Sequence, residues 1–233
     1  ARNPDAAARE PLRLKGDGIE PEEVTVDGER INDWRMEEGD LVLPLPADAH
    51  HIGITTALKP SDNTQLMGLY ASNGMLCTQC EAEGFRRITF HPDRPDVLSR
   101  YTVRMEGDAK TFPVLLSNGD LVEEGEGENG RHYAVWNDPH LKPSYLFALV
   151  AGDLVVNRDT FTTMSGRKVD LGIFVREGDL DRTGHAMTAL KNSMKWDEET
   201  YGREYDLDIF NIVAVSDFNM GAMENKGLNI FNT

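Results

Sequence analysis

Short alternating runs of apolar and polar residues, separated by turn dipeptides, occupy the first two thirds of the chain. Asn-Gly and Asp-Gly dipeptides favour the positive φ angles that two-residue β-hairpins require. Four of these dipeptides adjoin apolar runs, namely Asp27-Gly28, Asn73-Gly74, Asn118-Gly119 and Asn129-Gly130. We therefore expect four hairpins and a mainly β, antiparallel domain over residues 1–152, with a saddle-like or sandwich-like arrangement.

The pattern changes near Gly152-Asp153, and residues 153–233 are expected to form the first part of an α/β domain. Two strand-like runs, Asp159–Thr163 and Val169–Arg176, come first and are separated by a turn. The first 3.6-residue periodicity then predicts a helix over about Asp181–Tyr201. Its apolar face is expected to contain Met187, Leu190, Met194 and either Trp196 or Tyr201.

Three further stretches complete the expected organisation. The continuous apolar run Ile209–Val215 has the length of a strand and predicts a central one. We also expect this strand and the residues after Met220 to leave an unpaired edge. At the other end, residues 1–11 are polar and Ala-rich without periodicity, so we expect a loose terminus there.

Net charge, the lengths of the apolar runs and the cysteine count exclude several classes of protein. With 24 basic and 40 acidic residues, the chain has a formal net charge of −16, which argues against nucleic acid and anionic membranes. No apolar run approaches the length of a membrane span, and the N-terminal residues do not resemble a signal peptide. Two cysteines do not make a secreted disulfide scaffold. We expect a cytoplasmic protein.

Metal and redox motifs are weak in this sequence. Cys77-Thr78-Gln79-Cys80 has the spacing of a zinc or redox pair, but zinc needs four ligands and no second CxxC is present. None of the six histidines has a histidine partner four residues further on. We expect buried structural cysteines and ordinary histidines. The acidic run Glu123–Glu128 lacks EF-hand spacing and is expected to be a solvated hairpin approach.

The last stretch of the chain carries the strongest functional signal. Gly221 and Ala222 are nearly bare backbone positions, which another extended chain can approach closely enough for hydrogen bonding. Glu224 adds a carboxylate at the end of this segment, which suits the ammonium group of a peptide N-terminus. The alternative is an edge strand that closes in a turn with a solvated glutamate. We call Met220–Glu224 the strip.

Gly221-Ala222-Met223-Glu224-Asn225 resembles the GAMEN exopeptidase motif of the zinc aminopeptidases of the aminopeptidase N family. The resemblance to bacterial members extends in collinear order from about Leu12 to Thr233. It is densest in three further stretches, which are residues 76–86, 145–152 and 191–199. These long matches make the resemblance far more specific than a five-residue motif.

The resemblance implies substrate-binding roles for Gln79 and Glu81 and for two residues of the strip. Glu81 and Glu224 would bind the α-ammonium group of the substrate together, and Gln79 would form a wall of the pocket for the first side chain. Gln79 and Glu81 are two residues apart, so an extended segment would place them on one face. By the same resemblance, Met220 would be the flexible lid of that pocket; the alternative is a methionine packed in the core.

The resemblance also implies how the substrate backbone is held and which metal takes part. Gly221, Ala222 and Met223 would provide backbone contacts to the peptide. In the family, zinc is bound by HExxH and a further glutamate, all C-terminal to the GAMEN motif. The chain ends at Thr233 before any such motif, so we expect a fragment with neither metal ligands nor catalytic residues. The isolated chain is expected to be inactive and to bind less than about one zinc ion.

The expected function is part of a metallo-aminopeptidase, a hydrolase that releases N-terminal amino acids from peptides with a free N-terminus. We expect the full-length protein to be a monomer that binds neither nucleic acid nor membrane. One alternative is a non-catalytic, β-rich binding or interaction fragment. Another is the related epoxide hydrolase with aminopeptidase activity, but its motif reads GGMEN, and Ala222 counts against it.

Overall fold

The computed structural model describes residues 11–45 and 49–233, so the loose terminus expected for residues 1–11 lies, apart from Pro11, outside the described residues. The described part contains one α-helix, α1 (Gly184–Tyr201). It contains no helix that is long and apolar enough to cross a membrane. Its strands are, in chain order, β1 (Leu12–Leu14), β2 (Pro21–Val26), β3 (Glu29–Arg30), β4 (Arg35–Glu37), β5 (Asp40–Leu43), β6 (Ile52–Thr56), β7 (Gly68–Ser72), β8 (Met75–Gln79), β9 (Ser99–Asp108), β10 (Val114–Ser117), β11 (Asp120–Glu126), β12 (Arg131–Lys142), β13 (Leu149–Gly152), β14 (Val155–Thr162), β15 (Lys168–Val175), β16 (Ile209–Val215), β17 (Ala222–Met223) and β18 (Leu228–Asn232).

The chain divides into two compact units. The first comprises the described residues of Ala1–Tyr70, together with Gln79–Leu98 and Lys142–Tyr145. It contains two three-stranded sheets with the orders β1-β5-β4 and β3-β2-β6, and their strand pairs are antiparallel. Alternation along β2 buries Val24 and Val26, whereas all four residues of β5 are buried. The resulting core consists of Leu14, Ile19, Val24, Leu41, Leu43 and Phe90.

The second unit comprises Ala71–Thr78, Ser99–Leu141 and Leu146–Thr233. It contains a three-stranded sheet with the order β11-β12-β9 and a five-stranded sheet with the order β14-β15-β16-β18-β17. A further sheet has the order β10-β13-β8-β7. The prediction of a mainly β fold with antiparallel sheets and the start of an α/β part is therefore confirmed.

Three of the four predicted hairpins are confirmed. The turn between β2 and β3 has φ angles of 50° at Asp27 and 88° at Gly28, and the turn between β7 and β8 has 49° at Asn73 and 83° at Gly74. Between β11 and β12, Asn129-Gly130 also has positive φ at both residues. Positive φ at two successive positions is the geometry that selects Asn-Gly and Asp-Gly. The acidic approach to the third hairpin is solvent-exposed, as predicted.

The hairpin predicted at Asn118-Gly119 is wrong. β10 and β11, which flank this dipeptide, belong to different sheets, so the turn passes the chain from one sheet to another. Gly119 has a positive φ of 84°. The Asn118 side chain is buried and hydrogen-bonds three backbone groups of distant segments. These long-range bonds, rather than a local strand pairing, determine the turn.

The helix α1 packs on one face of the five-stranded sheet. Met187, Leu190 and Met194 are buried against residues of β15, which confirms the central part of the predicted apolar face. Trp196 and Tyr201 are 54% and 64% exposed and contact each other edge to face, so that part of the prediction is wrong. The helix begins at Gly184 rather than near Asp181 because a 3₁₀ turn, Leu180–Arg182, comes first.

The strand β16 is central, as predicted. It pairs in parallel with β15 on one side and with β18 on the other. The unpaired edge expected at Ile209–Val215 is therefore wrong, because the residues after the strip form β18 and cover that side. Among the described strands, the edge of this sheet next to β18 is β17, which contains two residues of the strip.

Candidate functional site

The strip lies at the edge of the five-stranded sheet. In the antiparallel pair of β17 and β18, Ala222 lies opposite Phe231 and Met223 opposite Ile230. The Asn232 N–H donates to the Gly221 carbonyl at 2.9 Å. Hydrogen-bonded and non-hydrogen-bonded pairs alternate along an antiparallel ladder, so Ala222 occupies a non-hydrogen-bonded position. Its N–H and C=O therefore point away from β18, toward the open edge.

Side chains of the strip alternate between solvent and the interior. Met220 is 37% exposed, Ala222 and Glu224 are exposed, and Met223 is 1% exposed. A Cβ atom added at Gly221 would meet no atom within 4 Å, so the backbone there borders open space. The Glu224 carboxylate has no hydrogen bond or ion pair with any residue that the structure describes. The strip thus presents a bare backbone and one unpaired carboxylate on its outer side.

A tight turn closes the strip on its C-terminal side. The Leu228 N–H donates to the Asn225 carbonyl at 3.0 Å, and Gly227 has a φ of 77° that favours glycine. The Asn225 side chain is buried, and its Oδ1 has no hydrogen-bond partner within the described ranges. Burial of Met223 and Asn225 therefore holds Glu224, which lies between them, on the exposed face.

Residues outside the strip hold its two flanks, and sequence reasoning missed them. Before the strip, the Ser72 hydroxyl donates to Asp217 Oδ2 at 2.6 Å. After the strip, Asn118 Nδ2 donates to the Lys226 carbonyl at 2.9 Å. Ser72 and Asn118 lie about 100 residues or more from their partners in sequence, so no local pattern reveals them. The Asn-Gly dipeptide at Asn118 carried a turn signal, which masked this second role.

Lys226 also forms an ion pair just beyond the strip. Its Nζ lies 2.6 Å from Asp206 Oδ1. Burial raises the pKa of the Asp206 carboxyl, but the hydrogen bond and charge of Lys226 outweigh burial and hold the pKa below its usual range. Asp206 is therefore ionised at neutral pH and neutralises Lys226. As a result, Lys226 does not offer a free cation beside Glu224.

Gln79 and Glu81 belong to the first unit. β8 ends at Gln79, and Glu81 follows in a turn, so the expected placement on one face of an extended segment is wrong. Instead, the Glu81 N–H donates to Gln79 Oε1 at 3.1 Å, which ties the turn to a side chain that is 1% exposed. The Glu81 carboxylate is partly exposed and has no hydrogen bond or ion pair with another described residue.

A buried ion pair stiffens the segment that follows Glu81. Asp93 is 4% exposed, and its Oδ2 accepts hydrogen bonds from Arg86 Nε at 2.8 Å and from the Arg86 N–H at 3.2 Å. The Ser144 hydroxyl donates to the other carboxylate oxygen. These charge-assisted bonds leave no charged oxygen of Asp93 unsatisfied. These bonds fix the position of Arg86, five residues after Glu81, relative to Asp93.

Cys77 and Cys80 are buried and form no disulfide within the described residues, which agrees with the predicted structural role. Burial raises the pKa of the Cys80 thiol, and the negative charge of Asp93 raises it further. A thiol in this state is a poor nucleophile and a poor metal ligand. In residues 11–45 and 49–233, no group of three or more His, Cys, Asp or Glu side chains is placed to hold a metal ion.

This burial predicts low thiol reactivity. We expect iodoacetamide to alkylate Cys77 and Cys80 of the folded protein at least about 100-fold more slowly than a free thiol at pH 8. In guanidinium chloride both residues should react at the free-thiol rate. Peptide mass spectrometry after timed labelling measures each site separately. Rapid alkylation of Cys80 in the folded protein would contradict the buried, protonated thiol.

Comparisons with protein families match two parts of the chain. The Peptidase M1 N-terminal domain matches residues 22–146, and the Peptidase family M1 domain matches residues 185–233. The first match ends and the second begins on either side of the composition change near Gly152.

Related sequences and a solved structure match nearly the whole chain. The chain is 57% identical to aminopeptidase N of Escherichia coli and 56% identical to aminopeptidase N of Caulobacter vibrioides, over 97% and 96% of its length. Its structure matches Legionella pneumophila aminopeptidase A, in complex with aspartic acid, with a TM-score of 0.91 and 34% identity over 96% of the chain. The chain spans about a quarter, 26%, of the length of each of these proteins.

Proposed function

We propose that this chain, which belongs to the peptidase M1 family, is part of a longer zinc-dependent aminopeptidase. That protein would release N-terminal amino acids from peptides, and this chain would recognise the free N-terminus. The observation that carries the proposal is the strip, with an open backbone edge at Ala222 and the unpaired carboxylate of Glu224. The names of the bacterial relatives support the same activity.

In the proposed mechanism, the substrate peptide extends the sheet along β17. The outward N–H and C=O of Ala222 pair with its backbone, and Gly221 leaves room for a close approach. Gly221 and Met223 are the neighbouring backbone positions of the same contact. The α-ammonium group then meets Glu224, which limits how far the peptide advances. Main-chain hydrogen bonds, together with the ion pair between Glu224 and the α-ammonium group, position the first peptide bond.

We also propose recognition roles for Glu81 and Gln79. Glu81 is the second carboxylate for the α-ammonium group, and its unpaired state supports that role. Gln79 is the proposed wall of the pocket for the first side chain; it is 1% exposed, and the hydrogen bond that it accepts from the Glu81 N–H orients the turn. Two carboxylates and one ammonium group favour free N-termini over blocked ones because a neutral amide cannot form ion pairs.

The proposed zinc ion does not fit the residues that the structure describes. No group of three or more His, Cys, Asp or Glu side chains in residues 11–45 and 49–233 is placed to hold a metal ion, so we assign no ligand and no catalytic residue within them. We propose that the ligands and the catalytic groups belong to the part of the longer protein that follows the strip. The contribution of this chain is therefore to bind and orient the substrate.

Further features of the longer protein are also proposals. We place the boundary between the β N-terminal domain and the catalytic domain near Gly152-Asp153, between the two family matches. We propose a cytoplasmic monomer that binds neither nucleic acid nor membrane, which the acidic composition supports. Size-exclusion chromatography with light scattering on the full-length protein measures its oligomeric state.

Product analysis of the full-length protein tests the proposed activity. With a peptide of defined sequence, we expect stepwise loss of residues from the N-terminus, dependence on bound zinc, and release of a chromogenic amine from an aminoacyl substrate. A protein without bound zinc that leaves the peptide intact would instead be a non-catalytic binding module. Cleavage inside the peptide would also contradict the proposal.

Met220 is proposed to line the pocket for the first side chain as a flexible lid. We expect Met220→Ala to change the ranking of first residues, with kcat/KM for aromatic first residues falling about two- to tenfold relative to the others, because contacts between a thioether and an aromatic ring are worth about 0.3–1.5 kcal/mol. Assays on a series of aminoacyl substrates measure this ranking. Met164→Ala is the control, since Met164 is 61% exposed in a turn outside the strip. An equal loss for every substrate would favour a core role instead.

A further inference from the structure

The strip needs support from outside itself. β17 pairs with β18 at only two positions, Ala222 and Met223, and the Gly221 carbonyl adds one more backbone hydrogen bond. A strand pair of this length is not stable alone. A peptide that binds to the open edge needs the Ala222 backbone and the Glu224 carboxylate at defined positions, since small displacements weaken hydrogen bonds steeply. Burial of Met223 supplies part of this support, and contacts made by the residues on either side of the strip supply more.

Ser72 provides the contact on the N-terminal side. Its side chain is 2% exposed, and its hydroxyl donates to Asp217 Oδ2 at 2.6 Å, three residues before Met220. A hydroxyl bound to a carboxylate forms a short, charge-assisted hydrogen bond. Asn73 adds a longer contact of 3.4 Å to the same oxygen. The hairpin between β7 and β8 thereby holds the loop that leads into the strip.

Asn118 provides the contact on the C-terminal side. Its side chain is 1% exposed, and its Nδ2 donates both to the Lys226 carbonyl and to the Leu146 carbonyl, at 2.9 and 3.0 Å. Its Oδ1 accepts a hydrogen bond from the Ala148 N–H at 2.7 Å. Both amide hydrogens and one oxygen lone pair are thus used, which fixes the orientation of the amide. Asn118 ties Lys226, two positions after Glu224, to the backbone segment Leu146–Ala148.

Backbone packing removes the remaining freedom on this side. A Cβ atom added at Gly227 would lie 3.0 Å from the Gly119 nitrogen, so the two backbones are in close contact. The turn that follows Glu224 therefore rests directly against the Asn118-Gly119 turn. Asn118 thus supplies a hydrogen bond to the Lys226 carbonyl, and Gly119 supplies the backbone against which Gly227 packs.

We propose that Ser72 and Asn118 are positioning residues that hold the two flanks of the strip for binding of the peptide N-terminus. Neither side chain is assigned a contact with substrate. Ser72 acts through Asp217 and sets the entry of the strip, and Asn118 acts through Lys226 and sets the position of Glu224. This inference rests on the proposed function, because it explains how the same site is kept in its binding geometry.

Ser117 offers a matched control for Ser72. It is 0% exposed, and its hydroxyl donates to the Ala148 carbonyl at 2.8 Å, so Ser117→Ala also removes a buried hydroxyl bond in the same unit. It makes no hydrogen bond to the strip or its flanks. If Ser72 had only a structural role, the two alanine variants would behave alike.

The test compares Ser72→Ala and Ser117→Ala in the full-length protein. We expect Ser72→Ala to raise the KM for an unblocked peptide and the Ki of L-phenylalaninamide about three- to tenfold, with kcat changed less than about twofold. Ser117→Ala should leave both values near wild type, and Ser72→Thr should restore them because it retains the hydroxyl. Thermal unfolding midpoints identify any loss that arises from misfolding.

Asn118→Asp is a second variant that keeps the shape and the acceptor of the side chain but removes both donated hydrogen bonds. We expect it to raise the same Ki at least as much as Ser72→Ala. If wild-type protein neither binds L-phenylalaninamide nor releases N-terminal residues, the proposed function itself fails. If wild type is active but Ser72→Ala matches Ser117→Ala and Asn118→Asp matches wild type, the positioning role alone is overturned.

Discussion

Replacement of Glu224 by Gln in the full-length protein is expected to lower kcat/KM for unblocked peptides about tenfold or more. The Glu224 carboxylate is exposed and unpaired within the described residues, so it is available to an ammonium group. Gln keeps the shape and one acceptor oxygen but removes the charge. Hydrogen bonds to charged groups contribute about 1.5–3 kcal/mol, and a tenfold change corresponds to about 1.4 kcal/mol.

Steady-state kinetics with one aminoacyl substrate measure this loss. Glu177→Gln is the matched control, because Glu177 is an exposed glutamate of the same unit outside the strip. It changes the net charge by the same amount, so a general electrostatic effect would appear in both variants. An unchanged kcat/KM for Glu224→Gln would remove Glu224 from the site.

Acetylation of the peptide N-terminus is expected to weaken binding about 10- to 150-fold. It replaces the ammonium group by a neutral amide, and the charge-assisted bonds to Glu224 and Glu81 are lost. Acetylated peptides should therefore be poor substrates and weak competitors. Inhibition constants for a free and an acetylated form of the same peptide measure the difference.

Amidation of the C-terminus provides the control for acetylation. It also removes one charge from the peptide, but at the end that the strip does not contact. Binding of the amidated peptide should stay close to that of the unmodified one. Equal inhibition by acetylated and free peptides would contradict recognition of the N-terminus.

Local turn chemistry was predictable from the sequence. Asp27-Gly28 and Asn73-Gly74 form hairpins because their positive φ angles are a property of the dipeptides themselves. The run Ile209–Val215 and the buried positions of α1 follow from strand length and helical period in the same way. In each case the physical cause lies within a few residues of the pattern.

Features determined by distant contacts were not predictable. Asn118-Gly119 carries the same local signal as the confirmed hairpins, but Asn118 bonds to Lys226, 108 residues away. Trp196 continues the apolar pattern of α1 but faces solvent. The turn at Glu81 begins where β8 ends, and strand ends are set by tertiary pairing rather than by composition.

The strip illustrates both cases. Its small residues and its glutamate were visible in the sequence, and they are exposed in the edge strand β17 or directly beside it. The pairing of β17 with β18 and the outward direction of the Ala222 backbone depend on residues beyond the motif. Knowledge of the residue types therefore identified the candidate chemistry, whereas the accessible edge became evident only from the fold.

The central claim is that Glu224 recognises the peptide N-terminus. Its most direct test combines acetylation of the peptide with the Glu224→Gln substitution. The ratio of inhibition constants for an acetylated and a free peptide is measured for wild type and for Glu224→Gln of the full-length protein. If Glu224 binds the ammonium group, the preference for the free peptide should fall about tenfold in the variant, because the two changes remove the same interaction. An equally strong preference in both proteins would contradict the account.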